Sequence, residues 1–133
     1  MKTIIFLRIY VLIFLLVISI KQANAQDNSL VQLKHQLENI TIESPGLSEK
    51  VDLNISNILV SDFLRTIAKA HQINLHISNG LNNLRITNNF TNATVTDVLL
   101  FVCKEYDLTI DFTGNILSIK KYIPPIEKPV ERV

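Results

Sequence analysis

The middle of the chain changes its hydrophobic period twice. Alternation of apolar and polar residues over 51–55 is typical of a strand with one buried face. Leu64, Ile67, Ala68 and His71 then follow the helical spacing i, i+3, i+4, i+7 and mark one helix face. Alternation returns over 73–77, so these segments together predict one β-α-β unit.

The same pattern occurs again 35 residues later. When the chain is shifted by 35, Val51–Ser78 aligns with Ile86–Thr113, and several aligned positions are identical. The second copy predicts a strand, a helix and a strand in the same order. Two copies are fewer than the roughly three that a solenoid needs. We therefore predict one domain built from two similar units, 51–78 and 86–113.

A final strand completes the predicted domain, which spans 51–122. Thr113-Gly114-Asn115 is typical of a hairpin turn, and 116–122 follows it as a last strand. The order β-α-β-β-α-β-β predicts an α+β fold, a two-layer sandwich with strands on one face and helices on the other. The predicted core residues are Leu64, Ile67, Ala68, Leu75, Leu99, Val102, Cys103 and Ile110.

The two predicted helices differ at their N-termini. Thr94 and Asp97 have the spacing of a capping box, whereas Leu59 occupies the position equivalent to Thr94. We expect the first helix to be less well capped, or to begin later, at Ser61.

Residues 1–25 have the features of a secretory signal peptide. Basic residues bracket the start, an apolar run follows, and Ala23 and Ala25 supply the small residues of a cleavage site. Gln26 is then the expected mature N-terminus. The apolar run is short for a membrane span, and an uncleaved N-terminal anchor is the alternative.

The segments on either side of the predicted domain are polar or rich in proline. Residues 26–50 are predicted to be a lead-in outside the core, with a short amphipathic helix over 27–37 and a turn at Pro45-Gly46. Residues 123–133 carry three of the four prolines and are predicted to be an extended linker or tail.

Charge and composition argue against several classes of function. Without its first 25 residues the 133-residue chain keeps 108 and loses three of its 13 basic residues, so ten face 12 acidic ones and the net charge is −2. A chain with no basic stripe is a poor nucleic-acid binder. Three glycines make a phosphate-binding loop improbable. We predict no enzymatic activity, no cofactor and no small-molecule substrate.

Cysteine and histidine residues show no reactive arrangement. Cys103 aligns with Ala68 in the repeat, which indicates a small buried residue rather than a nucleophile. A single cysteine cannot form an internal disulfide, which suits a bacterial periplasm better than a disulfide-rich extracellular scaffold. His35, His71 and His76 lack the spacing of a metal site.

Four N-x-S/T sequences would be glycan sites in a secreted eukaryotic protein. They begin at Asn39, Asn54, Asn89 and Asn92. We favour ordinary outward or turn positions for these asparagines. A eukaryotic secreted glycoprotein domain is the remote alternative.

The repeated segments "VSDFLRTIAKAHQINLHIS" and "ATVTDVLLFVCKEYDLTIDF", followed by "GN" and "ILSIKK", give the chain a family resemblance. Over Val51–Tyr122 it resembles the secretin and TonB short N-terminal domain. The resemblance implies the periplasm of a Gram-negative bacterium as the location. In secretins this domain docks inner-membrane components of type II secretion or type IV pilus machines, and in TonB-dependent transducers it signals to an inner-membrane regulator of a sigma factor.

The lead-in and the proline-rich exit favour the secretin type, and the transducer type is the alternative. A secretin has further periplasmic domains and an outer-membrane pore, and it assembles into a ring. The resemblance therefore implies that this chain is an N-terminal fragment, a truncated product or a stand-alone adaptor. Its expected partner is a periplasmic segment of an inner-membrane secretion or pilus protein.

A domain of this class would bind through its surface. Unpaired backbone groups at a sheet edge can accept a partner strand. Terminal strands are often edges, so we expect edges at Val51–Ile55 and at Ile116–Tyr122. The candidate partner-binding residues are Asp52, Asn54, Ser118 and Lys120.

Overall fold

The fold is that of a computed structural model, which describes residues 2–126 except for the side chains of 17–26. Its elements follow the order α1 (Lys2–Ile40), β1 (Lys50–Leu59), α2 (Val60–Ala70), β2 (Asn74–Ile77), β3 (Arg85–Thr94), α3 (Val95–Glu105), β4 (Leu108–Thr113) and β5 (Ile116–Lys121). Short 3₁₀ turns, Pro45–Ser48 and Asn79–Leu81, precede β1 and β3. The α+β fold class is confirmed.

The strands divide between two small sheets, a division that the prediction did not include. β1 and β3 form an antiparallel pair, and the second sheet has the order β2-β5-β4, with β5 parallel to β2 and antiparallel to β4. α2 contacts β1 and β2, while α3 contacts β3 and β4, so each helix links the two sheets. Alternation shows which face of a strand is buried, but not which sheet the strand joins.

The sequence repeat is a repeat of backbone structure. β1 and β3, like α2 and α3, begin and end at positions 35 apart. Asn57 and Asn92 have positive φ angles of +51° and +52°, and Gln72 and Asp107 have +55° and +52°. The two units therefore share their unusual backbone positions as well as their helices and strands.

The β1–β3 pair carries a β-bulge near each end, and the two bulges are equivalent. Register shifts occur at both places, and each includes one asparagine with positive φ. The N–H of Asn92 donates to the Asp52 carboxylate at 2.7 Å, and the N–H of Asn57 donates to the Thr87 hydroxyl at 2.9 Å. Asparagine tolerates this left-handed conformation better than most residues. The paired asparagines are thus explained as bulge residues.

Most of the predicted core residues lie in the interior. Leu75 is half-buried against the core. The buried ones are Leu64, Ile67, Ala68, Leu99, Val102, Cys103 and Ile110.

The expectation that 26–50 lies outside the core is wrong. Leu37 and Leu47 are fully buried, and Leu33 is nearly so. The carbonyl of Leu47 also accepts a hydrogen bond from the Thr96 hydroxyl at 3.0 Å, which ties the 3₁₀ turn to α3. The segment is polar in composition, but these leucines pack into the core.

α1 is a continuous helix of 39 residues, longer than the predicted helix over 27–37. Large apolar side chains at 4–16 are exposed, whereas the leucines of its last turns pack into the core. Over the residues that the structure describes, no helix has both the length and the apolar content to cross a membrane.

Two predictions fall partly or wholly outside the described residues. The cleavage residues Ala23, Ala25 and Gln26 belong to the stretch whose side chains are not described. Residues 127–133 of the predicted tail are not described, and 123–126 is exposed and belongs to neither helix nor strand. The signal peptide and the linker remain predictions.

The helix starts differ as the sequence predicts. Thr94 accepts a hydrogen bond from the Asp97 N–H, and the Asp97 carboxylate accepts one from the Thr94 N–H, so the capping box of α3 is present. α2 begins at Val60 after Leu59, which makes no side-chain cap.

Candidate docking surface

β5 is not an edge strand. It lies between β2 and β4, so the prediction of an edge at Ile116–Tyr122 is wrong. Ser118 stands opposite His76 on one side and Asp111 on the other, and the Lys120 ammonium pairs with the Asp111 carboxylate. Central and edge strands with one buried face alternate alike, so the pattern could not reveal the position of β5.

β1 has a free edge, because it belongs to a two-stranded sheet. Asn54 is exposed opposite Asn89, whereas Asp52 holds the bulge through its bond to the Asn92 N–H. Charge reversal at Asp52 would therefore disturb the bulge as well as any partner contact. Whether Asp52, Asn54 or the two β5 residues bind a partner remains a prediction.

In the described part of the chain, β1, β2, β3 and β4 each have one unpaired side. β1 and β3 carry two register shifts, and bulges of this kind twist an edge and hinder the addition of a strand. β2 has only four residues. β4 has six residues and pairs with β5 without a shift. β4 is therefore the longest regular edge among these strands.

The hydrogen-bond pattern shows which backbone groups of β4 face the open side. The Tyr122 N–H donates to the Asp107 carbonyl at 2.8 Å. Bonded pairs alternate along an antiparallel ladder, so every second residue from Asp107 to Thr113 turns its N–H and C=O toward β5. The residues whose backbone groups point away from β5 are Leu108, Ile110 and Phe112.

α1 runs beside this open edge and makes it one wall of a groove of about 390 Å³. We call this space the β4 groove. Its residues on α1 are Ser29, Gln32, Leu33 and Gln36, and those on the sheet side are Thr109, Ile110, Asp111, Phe112 and Tyr122. Asp111 is the one acidic or basic residue of this lining, and Lys120 neutralises it. The groove offers hydroxyl, amide and backbone groups rather than a net charge.

A second groove lies on the other side of α1, where it packs against α3. Its lining combines apolar and charged side chains: Leu30, Val31, Lys34, Asp97, Leu100, Phe101 and Lys104. Asp97 is already used in the capping box, and Lys34 lies 4.0 Å from Glu38.

The histidines do not come together. His71 ends α2 half-buried, and its Nδ1 contacts the Glu49 carboxylate. His35 and His76 are exposed, one on α1 and the other on β2. Among the described residues, no three His, Cys, Asp or Glu side chains are arranged to hold a metal ion.

Cys103 is a structural residue of α3. Its side chain is 1% exposed, and burial raises the pKa of the thiol from 9.0 to about 12. The thiolate is the nucleophilic form of cysteine, and it is scarce at neutral pH in this environment.

Tyr106, the counterpart of His71, donates its hydroxyl to the Arg85 carbonyl at 2.7 Å, and burial together with the charge of Glu105 raises its pKa.

Comparison with known proteins leaves the family open, since no family model and no curated protein matches the chain significantly. The resemblance to the secretin and TonB short N-terminal domain therefore remains a hypothesis. The candidate docking surface rests on the geometry of this chain.

Sequence reasoning missed the α1 side of the β4 groove. Gln32 and Gln36 are four residues apart and adjoin Leu33 and Leu37, so their shared helix face could have been read from the spacing. Their position beside β4 could not have been predicted from the spacing, because it depends on a contact between residues far apart in the sequence.

Proposed function

We propose that this chain is a non-catalytic docking module of the bacterial periplasm, of the type found at the N-terminal end of outer-membrane secretins. The observation that carries the proposal is the regular, unpaired edge of β4 beside α1. Such an edge supplies main-chain hydrogen bonds to a partner strand, and flanking side chains supply selectivity.

The repeated β-α-β architecture supports the same proposal. Its two units coincide with the segments that carry the resemblance to the secretin and TonB short N-terminal domain. The partner would be a periplasmic segment of an inner-membrane secretion or pilus protein. In a full-length secretin, copies of the domain would also associate into a ring.

Fractionation of cells tests this function. An antibody raised against residues 51–122 would detect the native protein in separated periplasm and outer membrane, before and after strong denaturation, with a deletion strain as the control. We expect a large, heat-resistant species in the outer membrane. A soluble monomer of roughly domain size would contradict the secretin assignment.

A further inference from the structure

We propose that the β4 groove accepts one extended segment of a partner protein, which adds to the sheet as a fourth strand beside β4. The inference rests on the proposed docking function and assigns its site and the form of its partner. The open side of β4 presents the N–H and C=O groups of alternate residues, and the added strand would pair with them.

The described hydrogen bonds leave these groups available. Ile110 and Phe112 turn their N–H and C=O groups away from β5, and no described residue of α1 pairs with them. An incoming strand would satisfy these groups with main-chain hydrogen bonds. β4 is thus a template with a defined set of bonds still to be made.

The position of α1 decides in favour of a single strand. A second copy of the domain would bring its own helices along with a sheet edge, whereas the space beside β4 is already bounded by α1. A small molecule of suitable size would fit a cavity of about 390 Å³, but such sites are mostly apolar. Here the α1 wall has Ser29, Gln32 and Gln36 around Leu33.

The lining also indicates the chemistry of the partner. Side chains of an added strand that point inward would meet Leu33 and Phe112, so they should be apolar. The alternate side chains of the added strand, which point outward, would lie near Thr109 and Asp111. Because Lys120 neutralises the charge of Asp111, these side chains should be polar and uncharged. The expected partner is an extended segment of about six residues with apolar and uncharged polar residues in alternation.

The test uses the full chain in detergent micelles, because the side chains of 4–16 are apolar and exposed. The probe is a phage-displayed library of eight-residue peptides with alternating apolar and polar positions, and selected sequences are synthesised. Amide hydrogen exchange is then followed by NMR. In the free protein, we expect fast exchange at Ile110 and Phe112 and slow exchange at Thr109 and Asp111.

Bound peptide should slow exchange at Ile110 and Phe112 by roughly tenfold or more, the value for one added hydrogen bond of ordinary strength. Gln36→Trp, which fills the groove, should weaken peptide binding by roughly the same factor. His35→Trp adds the same bulk to the neighbouring exposed position of α1, which does not line the groove, and should leave binding unchanged.

Three results would overturn the inference. The library could yield no peptide that binds, or protection could appear on β1, β2 or β3 instead of β4. Equal effects of the two tryptophan variants would show that α1 does not form the wall of the site. Cell fractionation distinguishes failure of this inference from failure of the proposed function. If fractionation finds a secretin-sized species but peptide does not slow amide exchange at β4, the docking function stands and only its location at β4 is refuted.

Discussion

The two β-α-β units have nearly the same backbone but different surroundings. Their helices and first strands match at a spacing of 35 residues, down to the positions with positive φ. α1 packs on α3 and borders β4, so it contacts the second unit more than the first. β5 lies antiparallel to β4 but parallel to β2.

The difference shows how a duplicated unit acquires one distinct site. β2 and β4 occupy equivalent places, and both are edges of the same sheet. The hairpin between β4 and β5 makes β4 longer, and α1 turns its open side into a groove. A symmetric pair of units would offer two equal edges, whereas the added α1 and β5 favour one.

Removal of a matched core leucine from each unit should have the largest effect. Leu64→Ala and Leu99→Ala each empty a buried position, so each should lower the free energy of unfolding by about 2–5 kcal/mol in urea titrations. Lys69→Ala and Lys104→Ala are matched controls on the exposed helix faces and should change it by less than about 0.5 kcal/mol. A small cost for only one leucine would show that its unit does not share the common core.

The sequence predicted what lies within each unit and missed what joins them. The helices around Leu64 and Leu99 and the strand at 108–112 depend on residues only a few positions apart. The hydrophobic pattern is therefore enough to predict them. The burial of Leu47 and the central place of β5 depend on residues far away in the sequence. For the same reason the pattern predicts edges at 51–55 and 116–122, of which only the first is an edge, and does not reveal the edge at β4.

The glycines of the two 3₁₀ turns should respond differently to an added methyl group. A Cβ on Gly46 would lie 1.9 Å from the His71 carbonyl oxygen, so Gly46→Ala must move backbone and should lower the free energy of unfolding by about 1–3 kcal/mol. Gly80→Ala places its Cβ 3.8 Å from the Lys121 side chain and should be close to neutral. Equal thermal shifts for the two variants would mean that the 3₁₀ turn before β1 can move off α2.

The buried thiol should make stability depend on alkaline pH. In the unfolded chain, Cys103 loses its proton near its ordinary pKa of 9.0, whereas the folded protein keeps the proton until about pH 12. Its contribution is complete below pH 9 and is lost between these values, by up to about 1.4 kcal/mol per pH unit. The Cys103→Ala variant should show a shallower decline above pH 9.

Adding Ala68→Cys to Cys103→Ala moves the thiol to the equivalent place in α2. Ala68 is 7% exposed, so the pH dependence should return in part. If wild type and Cys103→Ala lose stability in parallel between pH 9 and pH 11, the thiol of the second unit is accessible to water.

The smallest effect should come from exchanging the helix caps. Thr94→Ala removes the capping box of α3 and should lower the free energy of unfolding by about 1 kcal/mol. Asp62 already stands in α2 where Asp97 stands in α3, so Leu59→Thr would complete the same motif. Because this change also removes a half-buried leucine, Leu59→Ala is the proper reference, and the threonine variant should be more stable than it by about 0.5–1 kcal/mol.

The backbone supports this expectation, since Leu59 has φ −63° and ψ 133° and Thr94 has φ −75° and ψ 156°. Asp62→Ala in the Leu59→Thr background should remove the gain, which distinguishes a capping box from a general benefit of threonine. The Asp62 carboxylate now lies 3.4 Å from the Arg65 guanidinium. Exposed ion pairs of this kind are weak, so the capping hydrogen bond can replace this one. A threonine variant no more stable than the alanine variant would mean that the two helix starts differ in more than one side chain.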